Sequence, residues 1–79
     1  MDRQVIRHIF GMAEDKDYLK IDYGTKSMTI PKRFLDYKIL CKGHYLEIAN
    51  SSKRETYLIK TDSIDLITII EPKLRPLKV

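Results

Sequence analysis

Two stretches, YLKIDYGTK at residues 18–26 and YLEIANSSK at residues 45–53, begin in nearly the same way. In each, a tyrosine precedes apolar residues at every second position: Leu19 and Ile21 in the first, Leu46 and Ile48 in the second. A period of two puts those side chains on one face of an extended strand and the intervening polar residues on the other. Each stretch then runs into turn chemistry. Asp22-Tyr23-Gly24-Thr25 holds a glycine that takes positive φ without a side-chain clash, and Asn50-Ser51-Ser52 supplies short polar side chains that bond back to the backbone. Alternation resumes in Ser27-Met28-Thr29-Ile30 and in Thr56-Tyr57-Leu58-Ile59, so each stretch opens a β-hairpin.

The segments after the two hairpins are also alike. Pro31 lacks an amide hydrogen for a strand ladder, so Pro31 to Leu35 reads as a loop or one helical turn, and Tyr37 to Cys41 as a strand that Lys42-Gly43 ends. Thr61-Asp62-Ser63-Ile64 holds the corresponding place in the second unit, ahead of a strand from Asp65 to Glu71. That strand contains the most apolar run of the chain, Leu66-Ile67-Thr68-Ile69-Ile70, which is expected at the centre of a sheet. Each unit therefore reads as a three-strand meander. Duplication explains the likeness, and so does convergence, because β-branched and aromatic residues favour strands in any sequence.

The expected fold is mainly β with one short N-terminal α-helix: a small, strongly bent antiparallel sheet or barrel of about six strands. The second unit, in which a hydroxyl-bearing turn feeds an apolar last strand, resembles the closing half of an SH3-like or Sm-like barrel. The resemblance lies in pattern alone and implies no site residues. Ahead of the hairpins, Val5, Ile6, Ile9, Phe10 and Ala13 recur at helical spacing, with Asp2 placed to cap the first turn and Gly11 weakening the last. This spacing predicts a helix over about residues 2–13. Glu14-Asp15-Lys16-Asp17 is a polar connection.

A chain of 79 residues supports one domain, expected over residues 1–71 with its strands within 18–71. Folding at this size buries only about 60–65% of the surface exposed by the unfolded chain, so a partner or self-association helps stability. Residues 72–79, with two prolines and three cations, favour an extended basic tail. An apolar content of 43% beside 33% charged residues excludes intrinsic disorder. The single cysteine, Cys41, cannot form an internal disulfide. The N-terminal residues lack the apolar core of a signal peptide, and no run reaches the roughly 20 apolar residues of a membrane span, so a cytoplasmic protein without membrane association is expected.

The net charge of +4 is unevenly placed. Residues 1–23 sum to −1, residues 24–60 to +5 and residues 61–79 to zero. With an isoelectric point near 9.3, the basic middle carries either a solvated lysine-rich face or the electrostatic footprint of a nucleic-acid binder. Cations come in pairs near strand ends: Lys32-Arg33 after the first hairpin and Lys53-Arg54 in the second. These four are the candidate phosphate contacts, with Lys73 and Arg75 of the tail extending them. Of five tyrosines, Tyr23 and Tyr57 lie beside turns and are the candidate stacking faces for bases.

Other chemistry finds little support. Cys41 and His44 amount to half a metal site, since His8 is the only other histidine and a structural zinc needs about four ligands. They read instead as a buried strand cysteine and a turn histidine. Glu14, Asp15 and Asp17 are interleaved with lysine as in solvated loops, and no phosphate loop or nucleophile motif occurs. No enzymatic activity and no cofactor are expected. The leading reading is a non-enzymatic regulatory protein that binds RNA or DNA. The alternatives are a protein-interaction or homo-oligomeric assembly module, or a small inhibitor of a larger enzyme.

Overall fold

The computed structural model describes residues 1–72, so the tail from residue 73 on, including Lys73 and Arg75, lies outside the described residues. Helix α1 spans Arg3–Met12. Six strands come after it: β1 Tyr18–Tyr23, β2 Lys26–Pro31, β3 Leu35–Leu40, β4 Tyr45–Asn50, β5 Glu55–Lys60 and β6 Ile64–Ile70. Short 3-10 turns at Lys32–Phe34, Cys41–Gly43 and Thr61–Ser63 lead into β3, β4 and β6. The protein is thus mainly β with one N-terminal helix. Both expected hairpins form, β1 with β2 and β4 with β5.

Pairing of the third strands differs from two self-contained meanders. The strands make two three-stranded antiparallel sheets, ordered β2-β1-β6 and β3-β4-β5. The third strand of the first unit, β3, pairs with β4 of the second, and β6 of the second unit pairs with β1 of the first. Each unit thus lends its last strand to the other's sheet. Among the described residues no strand ladder joins the two sheets into a closed barrel. β6, for all its apolar residues, lies at a sheet edge, and the central strands are β1 and β4, the two that begin Tyr-Leu-x-Ile. Their inward residues Leu19, Ile21, Leu46 and Ile48 are all fully buried.

A bulge explains why β6 misleads. Opposite β1, Asp22 pairs with Leu66 and Tyr23 with Ile64, which leaves Asp65 as an extra residue. The phase of the alternation flips there. Ile64 and Ile67 point inward and are buried, whereas Leu66 is turned out and 55% exposed.

Backbone hydrogen bonds repeat the equivalence of the units. Lys32 N donates to Asp17 O at 2.9 Å, and in the second unit Thr61 N donates to His44 O at 3.0 Å. Ser51 N donates to Phe34 O at 2.9 Å, matched by Gly24 N to Ser63 O at 3.3 Å. In each case the 3-10 turn is tied to the residue before one central strand and to the hairpin turn of the opposite sheet.

The helix completes the core. Asp2 caps it by accepting from Gln4 N at 3.4 Å, and Ile6 and Phe10 are buried beneath it. Burial of side chains of this size is worth roughly 1.5–3 kcal/mol each. The Phe10 ring meets Tyr37 of β3 edge to face, centroids 4.4 Å apart. Arg3 packs against Gly43, whose φ of +101° only glycine adopts readily. Val5, expected within the apolar stripe, is instead 45% exposed, so the stripe is narrower than the sequence pattern.

Candidate nucleic-acid interface

Lys32 and Arg33 occupy the 3-10 turn after β2, where the chain leaves one sheet and Leu35 enters the other. Lys53 and Arg54 end the turn between β4 and β5, where Arg54 takes a left-handed φ of +54°. That turn is shaped by Asn50, itself buried, whose Oδ1 accepts from Ser52 N at 3.1 Å and Ser52 Oγ at 2.7 Å. One residue links the two elements. Ser51 donates from both its amide, at 2.9 Å, and its hydroxyl, at 3.3 Å, to Phe34 O. The two basic pairs, far apart in sequence, therefore sit on adjoining turns at one end of the molecule.

The cations there are open to solvent. Arg33, Lys53 and Arg54 are exposed and Lys32 half-buried. The one ion pair among the described residues is Lys16 to Glu14, 3.4 Å, so no carboxylate of the described residues lies within pairing distance of these four. The Arg33 guanidinium lies 4.8 Å from the centroid of the Phe34 ring. Phe34 is not among the residues that the sequence singles out, although an aromatic beside a dibasic pair in a turn is a visible signal. Ser51 reads from sequence only as a turn former, and its long-range role carries no sequence signature.

The opposite end gives a comparison within one molecule. Where Arg33 and Phe34 stand in the first unit, the equivalent turn carries Asp62 and Ser63. Where Ser51–Arg54 make the second hairpin turn, Gly24 and Thr25 suffice for the first. Its one matching cation is Lys26 at the start of β2.

The candidate tyrosines are placed differently from the cations. Tyr23 and Tyr57 are both half-buried and pack on the hydrophobic core. The Tyr57 hydroxyl is raised above its ordinary pKa first by its bond to the Glu55 carboxylate, then by partial burial and the charges of Glu55 and nearby Tyr23. The inward row Tyr37, Ile48 and Tyr57 crosses the β3-β4-β5 sheet.

Cys41 corrects an expectation: it lies in the turn, not in a strand, at a left-handed φ of +53°, and it is exposed. β3 ends at Leu40 because Cys41 and Lys42 both take positive φ to turn the chain back. His44 comes next after Gly43, exposed, on a shallow cavity of about 410 Å³ that it shares with Arg3, Lys42 and Asp62. Among the described residues no three of His, Cys, Asp and Glu gather as metal ligands, and no helix is long and apolar enough to cross a membrane. No protein-family model matches the chain, and neither does any curated protein or solved structure.

Proposed function

We propose that this chain is a non-enzymatic regulatory protein that binds RNA or DNA through Lys32, Arg33, Lys53 and Arg54. The observation that carries the reading is the bond from Ser51 to Phe34, which ties the turns of two separate dibasic pairs together at one cationic end. Four exposed or half-exposed cations with no carboxylate partner among the described residues release counterions when they meet a phosphate backbone, which gives affinity with little regard to sequence. Lys73 and Arg75, beyond the described residues, extend the footprint, and Tyr57 lies close in sequence to the basic turn. The two open sheets serve as a scaffold of SH3-like or Sm-like kind, with the 3-10 turns as corners, in a cytoplasmic protein.

Fluorescence titration of a labelled oligonucleotide at several salt concentrations tests this. The logarithm of affinity is expected to fall with the logarithm of salt at a slope of about −3 to −4, and each cation replaced by glutamine should lower the slope by about one. A flat response, or no binding at low salt, overturns the proposal. A second reading, homo-oligomeric assembly, draws on Leu58, Leu66 and Ile70, large apolar side chains exposed on the outward sheet faces. Light scattering decides it, a monomer at high concentration ruling it out.

A further inference from the structure

We infer that Arg33 and Phe34 form a stacking platform for an unpaired nucleobase, so that the basic end takes single-stranded nucleic acid in preference to duplex; this rests on the function proposed above. The fold itself makes no demand for either residue. The Thr61–Ser63 turn is built on the same plan, comes after the same kind of hairpin and makes the same backbone bond to the opposite hairpin turn, with Asp62 and Ser63 in their places. Phe34 is partly exposed, yet it is absent from the half-buried apolar side chains that pack on the core. Its close neighbour is a guanidinium, 4.8 Å from the ring centroid. A phenylalanine kept in a polar turn outside the core cluster of the described residues, under an arginine and near three further cations, has the composition of a base-stacking site.

Strand selectivity is a consequence of geometry. In a duplex each base has both faces covered by its neighbours, so a protein at the backbone meets phosphates alone. An unpaired base offers a bare face to Phe34 or to the Arg33 guanidinium plane while Lys32, Lys53 and Arg54 hold the flanking phosphates. The ring thus adds affinity to one form of nucleic acid and none to the other. RNA and DNA share this chemistry.

The test compares oligouridylate and oligothymidylate of about a dozen nucleotides, a length that spans a typical small-domain site, with a duplex of equal length. Wild type is expected to bind the single strands more tightly. Phe34→Ser, which installs the residue that the equivalent turn already tolerates, should lose on the order of ten-fold in single-strand affinity, the worth of about one stacked base, and leave duplex binding and the salt slope unchanged. Phe34→Tyr should restore it. Phe34→Trp adds the only tryptophan of the chain, and its emission should be quenched by single strands and not by duplex. Equal affinity for the two forms, a preference that survives Phe34→Ser, or unquenched tryptophan overturns the platform while the nucleic-acid reading stands. Absence of binding to all three probes at low salt overturns both.

Discussion

Tyr57 stands two residues from Glu55 on the same face of β5, and this neighbour is the main reason its hydroxyl holds its proton above the ordinary tyrosine range. The folded state therefore binds that proton more tightly than the unfolded chain. The associated stability is present below the ordinary tyrosine pKa and is lost as pH rises through the raised value. Alkaline titration of phenolate absorbance is expected to show a step above the ordinary tyrosine range, with no tryptophan in the chain to overlap it. Glu55→Gln should bring that step back toward the ordinary tyrosine value. A Tyr57→Phe protein that keeps the late step would contradict the assignment. At this scale the sequence is legible where alternation decides burial, as for Leu19, Ile21, Leu46 and Ile48, whereas Phe34, in a turn outside any alternation, is marked only by the dibasic pair beside it.

Among the elements, α1 is the easiest to read and also the easiest to improve. Its cap, its start and its buried pair Ile6 and Phe10 are set by the positions of Asp2 and the apolar residues. Gly11 sits inside it, and a Cβ added there meets nothing within 4 Å. Gly11→Ala is expected to stabilise the protein by roughly 0.5–1 kcal/mol, seen as a rise of a few degrees in thermal midpoint. No change, or a fall, would show that the last turn of α1 is frayed in solution. Strand β6 is harder. A single extra residue, Asp65, decides whether Leu66 or Ile67 faces the core, and apolar neighbours at successive positions on both sides of Thr68 give alternation nothing to lock onto. The end of β3 is hidden for a related reason: Cys41 is apolar enough to prolong a strand, while its positive φ is a demand of the return into β4.

For the whole molecule, local pattern reveals that there are two units and which elements each contains, but not which strands pair across them. Pairing of β3 with β4 and of β6 with β1 is decided by where each 3-10 turn aims the chain, and the convergence of the basic pairs depends on the same crossing. The exchange of third strands means that neither half owns its own sheet. A chain cut between Lys42 and Gly43 would leave two fragments, each a hairpin with one strand whose partner is on the other piece, and an isolated hairpin is marginal in water. Each fragment is expected to be unfolded alone, and mixing them should restore the β circular-dichroism signal in one-to-one stoichiometry. The same clasp that makes the halves interdependent would then act as a recognition code, making the protein in effect a heterodimer whose two subunits happen to share a backbone.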